Sequence, residues 1–310
     1  MRAIYNLVRL ARPSHWLKNL FVFAAILFAR EKTPEGVRVL ALQPEAWLEV
    51  VKAFIAFCLA SSAIYTLNDV MDRKEDARHP EKRRRPVASG ETGVWAAIVM
   101  AAVLAAGALA AAAALTMPFP LTVALYLAVM LGYVLGLKRV AVLDVLILAV
   151  GFVIRAYAGA VAIDVWVSPW LILCTLTLAL FLGFAKRESE RVALGPAAAE
   201  TRLIEWSLYD EKSLEHMMTV SAGLAIVTYM LYTVSPETIA RVGHPWMFLT
   251  VLPVVYGVFR FYRMAITGRA ADPVDLVRRD PAFVIAVAVW VVMAAALLLA
   301  WPKAPLGHGG

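Results

Sequence analysis

Long apolar stretches set the tightest limit on what this chain can fold into. Runs of about 20 predominantly apolar residues recur between short polar segments, and that length matches one crossing of a bilayer's hydrocarbon core. No water reaches the backbone inside lipid, so a crossing segment must bond its own N–H and C=O groups, which a helix does. The expected fold is an all-α integral membrane protein of nine transmembrane helices, at about residues 14–29, 47–70, 92–115, 119–137, 141–163, 169–187, 214–234, 245–264 and 281–301. Composition removes the competing classes. The 310 residues are 62% hydrophobic and 17% charged, against about 25% charged in soluble domains. A soluble enzyme, a nucleic-acid-binding domain and a disordered tail are excluded.

Lys and Arg divide unevenly between alternate loops, 23 on the side of the N-terminus against 6 on the other, with Arg155 inside a span. Basic loops stay cytoplasmic. The N-terminus and the loops at about 71–91 and 187–213 are therefore expected in the cytoplasm of a plasma (inner) membrane protein, with the C-terminus outside. The net charge of +7 follows from the same bias and needs no nucleic acid partner. Ile4, Leu7, Val8 and Ala11 share one helical face, which makes residues 1–13 an interfacial segment. Leu27-Phe28-Ala29 lacks a small-x-small cleavage pattern, so the first apolar run reads as a retained span. No flexible linker divides the chain, and 1–310 reads as a single membrane domain. Ser168-Pro169 and Asp280-Pro281 each pair an N-cap side chain with a proline at the first helical position. Cys58 and Cys174, both in apolar stretches, offer neither a disulfide framework nor a metal-ligand spacing.

Chemistry concentrates at the end of the second span, in Asn68-Asp69-x-x-Asp72-x-x-x-Asp76. At 100° per residue the four side chains lie within about 100° of one another over two turns. Such a carboxylate row repels itself unless a cation sits against it, and hard oxygen donors suit Mg²⁺ shared with a diphosphate. A solvated helix end neutralised by neighbouring Arg and Lys is the plainer reading. The loop that follows, Arg78 to Pro86, is basic and held between prolines. Lys82, Arg83 and Arg85 suit a phosphate clamp, since Arg grips phosphate oxygens bidentately. Positive-inside topology accounts equally well for Arg84, and His79 reads as structural.

A charge at a helix centre costs about 2.5–3.5 kcal/mol on the insertion scale, so Arg155 calls for a reason. Asp144 falls on the same face, about 16 Å nearer the cytoplasm. The two describe either a polar wall for substrate or an ion-paired packing element. Tyr133 with Lys138, and Lys186-Arg187 with Glu190, end the fourth and sixth spans on the cytoplasmic side, where snorkelling cations are also common.

These residues together resemble the UbiA superfamily of intramembrane prenyltransferases. Within it, Arg12-Pro13-x-x-Trp16-x-Lys18-Asn19, His79-Pro80-x-Lys82-Arg83-x-Arg85-Pro86, Leu137-Lys138 with Asp144, Arg155-Ala156-x-Ala158-Gly159 and Lys186-Arg187-x-x-Glu190 are similar to a phosphoribosyl-transferring branch, over residues 12 to about 212. The resemblance implies transfer of 5-phosphoribose from 5-phosphoribosyl 1-diphosphate to a polyprenyl (decaprenyl) phosphate in the membrane lipid, with diphosphate leaving. The product would feed a cell-wall arabinan precursor. It implies Mg²⁺ on Asn68, Asp69, Asp72 and Asp76, with the three aspartates catalytic. Lys18, Lys82, Arg83, Arg85, Tyr133, Lys138, Asp144, Arg155, Lys186 and Arg187 would serve the substrates. Ordinary prenyltransferases carry a second Asp-rich motif after the sixth span, and here residues 187–213 hold only Asp210. Asp272-x-x-Asp275 comes one loop later. A prenyltransferase joining a polyprenyl diphosphate to an aromatic acceptor keeps the first motif and is the nearest alternative. A transporter using Arg155 and Asp144 is more remote, because no repeated pair of broken helices is visible. The sequence leaves room for a homo-oligomer.

Overall fold

Apolar stretches that cannot bond water fold as helices throughout the computed structural model, which describes residues 2–33, 36–79, 82–194, 209–269 and 280–299. Among the described residues, eight helical runs are long and apolar enough to cross a membrane. They are α3 (Pro44–Met71), α5 (Val94–Ala112), α6 (Pro118–Leu135), α7 (Leu143–Ala162), α8 (Pro169–Leu194), α9 (Glu211–Val234), the run Trp246–Ala265 that ends in α11 (Val251–Ala265), and α12 (Pro281–Leu299). These correspond to the second through ninth expected spans. Shorter helices are α1 (Arg2–Ala11), α2 (Ala24–Phe28), α4 (Arg73–Asp76) and α10 (Pro236–Val242). Among the described residues, the one addition to the all-α expectation is an antiparallel hairpin of β1 (Arg30–Thr33) and β2 (Gly36–Val39), in the polar segment before α3.

The first expected span is not a continuous α-helix. Pro13–Phe23 forms a 3₁₀ helix and is followed by the five-residue α2. Three residues per turn put Trp16, Asn19 and Val22 in single file. Trp16 Nε1 donates to Ser62 Oγ (3.0 Å) and Asn19 Nδ2 to Ser61 Oγ (3.1 Å), both on α3. Val22 lies against α7 so closely that a Cβ added at Gly159 would stand 1.8 Å from the Val22 carbonyl oxygen. An α-helix would rotate each member of that file by about 60° from the last and break the row. The 3₁₀ form also rises about 22 Å over eleven residues, where an α-helix would rise about 16 Å.

The chain divides into two compact units. One comprises 1–24, 48–166 and 195–209; the other comprises 25–47, 167–194 and 210–310. In the first, the 3₁₀ helix packs on α3 and α7, and α6 on α7, around buried Phe57, Phe119 and Tyr126. α1 buries Leu10 and Asn6 while Tyr5, Leu7 and Val8 stay exposed, as an interfacial helix should. In the second, α8 packs on α9 and α11, and α11 on α12, with Phe261 touching Phe181 and Phe283. Tyr229 joins three of its helical segments by bonding Thr250 Oγ1 (2.7 Å) and accepting from Trp290 Nε1 (2.8 Å). Of the two expected N-caps, Asp280 accepts from Phe283 N–H (2.9 Å). Ser168 behaves differently: its hydroxyl reaches Glu237 Oε1 (3.4 Å), and its carbonyl receives the first helical bonds of α8. Asp272 and Asp275, most of the loop at 187–213 (residues 195–208) and the C-terminal residues from 300 lie outside the described residues.

Candidate active site

The carboxylate row forms because helical bonding continues past the end of α3. Asp72 N–H donates to the Asn68 carbonyl (2.9 Å) and Asp76 N–H to the Asp72 carbonyl (2.8 Å), stacking 68, 72 and 76 at four-residue spacing. Asp72 relaxes to φ −90°, ψ 1° between α3 and the single turn of α4. Asp69, Asp72 and Asp76 are all buried. Three carboxylates out of water need compensating charge, and cations from three distant segments supply it.

Arg85 Nη1 bridges Asp76 Oδ2 (2.7 Å) and Asp69 Oδ1 (3.3 Å). Arg12 Nη2 pairs with the same Asp69 Oδ1. Lys138 Nζ pairs with Asp72 Oδ1 and donates to Asn68 Oδ1 (3.0 Å), while Asn68 Nδ2 donates to Asp72 Oδ2 (2.8 Å). The bonds from Arg12 and Arg85 fall on Asp69 Oδ1 and Asp76 Oδ2. Burial pushes the Asp76 carboxyl above the usual aspartate range, against the pull of Arg85 and Lys82. Burial likewise draws the Arg12 guanidinium below its ordinary value, although Asp69 opposes this.

Local structure aims each cation. Arg12 closes α1 in the left-handed region (φ 49°, ψ 62°), just before Pro13. That conformation costs a non-glycine residue about 1–2 kcal/mol, and it turns the guanidinium onto Asp69. A 3₁₀ turn over Leu137–Arg139 places Lys138. In the basic loop, His79 Nδ1 accepts from Lys82 N–H (3.3 Å) and the Lys82 carbonyl from Arg85 N–H (2.9 Å), which holds the turn. Arg83 is exposed, and Arg84 lines a cavity that Asp69 also lines. The pairing of Arg12 with Asp69 was not visible as such in the sequence, although Arg12 stood in a motif.

The other expected site residues separate. Asp144 is fully buried and accepts from Tyr209 Oη, which itself accepts from Val142 N–H (2.6 Å) and holds the strained Val142 turn (φ 67°) at the start of α7. Arg155 bonds Asn19 Oδ1 (2.8 Å) and Tyr126 Oη (2.7 Å) and lies over the rings of Tyr126 and Phe152. Asp144 and Arg155 thus take different partners, and Arg155 is satisfied by neutral groups in the packed interior. Lys18 and Tyr133 are half-buried, on the 3₁₀ helix and α6. Lys186 and Arg187 belong to the second unit, where both face Glu190 (3.5 and 3.6 Å).

Comparison with known proteins agrees with this architecture. The profile of the UbiA prenyltransferase family matches residues 36–279. Decaprenyl-phosphate phosphoribosyltransferase of Mycolicibacterium smegmatis is 34% identical over 294 residues, covering 93% of this chain and 91% of the relative. Its counterpart from Mycobacterium tuberculosis is 32% identical over 289 residues, covering 93% and 92%. A solved UbiA homolog from Archaeoglobus fulgidus, bound to GPP and Mg²⁺, superposes with a TM-score of 0.68 at 19% identity, covering 94% of this chain and 99% of that one. With its multi-pass helical fold and this motif-bearing site, the chain belongs to the UbiA prenyltransferase family.

Proposed function

We propose that this chain transfers 5-phosphoribose from 5-phosphoribosyl 1-diphosphate to a polyprenyl phosphate, releasing diphosphate, with Mg²⁺ on Asn68, Asp69, Asp72 and Asp76. The observation that carries the reading is the buried carboxylate row with its cations at the end of α3. The donor set is all oxygen, which suits a hard divalent cation. When bound, Mg²⁺ would neutralise charge on the departing diphosphate. Relatives named for this reaction over nine-tenths of the chain support the substrate pair.

The chain's own residues then have definite tasks. The ribose C1–O bond to diphosphate breaks, its electron pair leaving with the diphosphate, and a lipid phosphate oxygen bonds to C1. That oxygen is already anionic near neutral pH, so no side chain has to remove a proton. Lys138, Arg85 and Arg12, now held by carboxylates, are placed to bond phosphate oxygens as charge develops on them. Lys82 adds positive charge, and Lys186 and Arg187 would serve a phosphate from their own unit. Arg155 holds the 3₁₀ helix against α6 and α7 through Asn19 and Tyr126. In this reading the chain works as one membrane domain of the plasma membrane, with the N-terminus and the carboxylate row cytoplasmic, as the 23-to-6 distribution of basic residues supports.

The test is label transfer by purified protein in lipid nanodiscs with Mg²⁺ and labelled 5-phosphoribosyl 1-diphosphate. Label should enter the organic phase only when polyprenyl phosphate is present. Product from a prenyl diphosphate and an aromatic acceptor, with none from the phosphoribosyl donor, would replace this reading by the prenyltransferase one.

A further inference from the structure

Lys138 reaches the carboxylate row from a short connector, residues 136–142, between α6 and α7. Arg139 N–H donates to the Gly136 carbonyl (2.9 Å) and Val140 N–H to the Leu137 carbonyl (3.2 Å), closing the turn that carries Lys138. The Val140 carbonyl accepts from Asp144 N–H (3.1 Å), in the first turn of α7. Between the two, Val142 stands at φ 67°, ψ −44°, near the γ-turn of positive φ, which is rare and strained and an outlier for a β-branched residue. Such a conformation persists only where its surroundings over-determine it. Tyr209 does so, because its hydroxyl accepts from Val142 N–H (2.6 Å) and donates to the fully buried carboxylate of Asp144. Arg139 also reaches Glu75 Oε1 (3.4 Å), with its side chain 53% exposed, where an ion pair contributes little.

We propose that Tyr209, together with Asp144, is a positioning residue for the transfer: it holds the strained turn that keeps Lys138 on Asp72 and Asn68. The proposal rests on the phosphoribosyl-transfer reading and deepens it. The Lys138 side chain is 6% exposed and meets two acceptors on α3, Asp72 Oδ1 and Asn68 Oδ1 (3.0 Å). A lysine carries its charge on a flexible four-carbon stem, so the ammonium stays between those acceptors only while the backbone beneath it stays in place. Lys138 and Val142 share that backbone, and a misplacement of about 1 Å at a reacting centre can cost about 100-fold in rate. Without the Tyr209 hydroxyl, Val142 relaxes toward negative φ, residues 138–142 take another course, and Lys138 lifts from Asp72. Asp144 then acts through Tyr209 and Lys138 and needs no contact with substrate.

The experiment compares the full wild-type chain with Tyr209→Phe in nanodiscs, by two readouts. Tyr209 is half-buried and phenylalanine fills the same space, so the variant is expected to fold, which thermal unfolding checks. The first readout needs no substrate: brief acetylation of lysines, with the label on Lys138 measured by mass spectrometry against exposed Lys52. Lys138 should take label about fivefold faster in the variant. The second is a double-mutant cycle with Lys138→Met on phosphoribosyl transfer. Tyr209→Phe should lower kcat about tenfold, with KM little changed, when Lys138 is present, and less than about twofold when it is absent. A hydroxyl that merely caps α7 would cost the same in both backgrounds. Asp144→Asn keeps an oxygen for the hydroxyl and should stay within about threefold of the wild type in both readouts. Unchanged labelling of Lys138 in Tyr209→Phe, or equal kcat losses in the two backgrounds, overturns the proposal. A raised KM in Asp144→Asn at wild-type labelling puts Asp144 against substrate and overturns its share. A wild-type chain that transfers no phosphoribose removes the reaction and leaves the labelling to decide whether Tyr209 holds Lys138.

Discussion

Arg155 shows what a single side chain contributes here. Its guanidinium lies in the interior of the first unit and bonds Asn19 and Tyr126, and Asn19 bonds Ser61 and Cys58 in turn, so one cation ties the 3₁₀ helix to α3, α6 and α7. Hydrogen bonds to a charged group are worth about 1.5–3 kcal/mol each. Arg155→Met should therefore lower thermal stability by about 2–3 kcal/mol while leaving KM for both substrates close to wild type. A raised KM at unchanged stability would place Arg155 against substrate instead. Lys138 makes the complementary case. Lys138→Met leaves Asp72 buried without its cation, and activity should fall about 100-fold, measured at saturating donor; an unchanged rate would remove Lys138 from the site. Asn68, Asp69, Asp72 and Asp76 were legible in the sequence because helical spacing alone puts them on one face. Their partners were not, because Arg12 and Lys138 arrive from 57 and 66 residues away, and no local pattern says which loop folds onto which helix end.

At the scale of elements, spans two to nine could be read from hydropathy and length, and Asp280 from its cap signature. The first span departed because the docking of Trp16, Asn19 and Val22 favours three residues per turn, a tertiary demand that hydropathy does not carry. Gly159→Ala tests this crossing. The added methyl meets the Val22 carbonyl, and one of the two backbones must shift. A loss of about 1–3 kcal/mol in stability is expected, and wild-type thermal unfolding would refute the close approach. The start of α9 offers a pH test. Hydrogen bonds from the Ser213 hydroxyl and N–H hold the Asp210 carboxyl below the usual range. A depressed carboxylate pKa stabilises the fold above its unfolded value, and that contribution is lost as pH falls through the folded value. The unfolding midpoint should drop as pH falls below about 4, and Asp210→Asn should flatten part of that drop. Identical pH profiles would remove the cap from the account.

Taken whole, the molecule sets a polar site of carboxylates and cations at the ends of apolar helices, where the proposed reaction would bring a water-soluble phosphosugar to a lipid phosphate. The proposed orientation predicts that Arg78→Cys, in an exposed stretch of the loop after α4, reacts with a membrane-impermeant maleimide in inverted vesicles and not in intact cells. The reverse pattern would invert the topology. The central claim is that the carboxylate row is where phosphoribose changes hands. Its most direct measurement compares the wild-type chain with Asp72→Asn, both folded in nanodiscs, for label passing from 5-phosphoribosyl 1-diphosphate to polyprenyl phosphate. The account predicts lipid-linked label for the wild type, abolished by EDTA, and a rate at least about 100-fold lower for the variant. Turnover at the wild-type rate in a folded Asp72→Asn chain would contradict it.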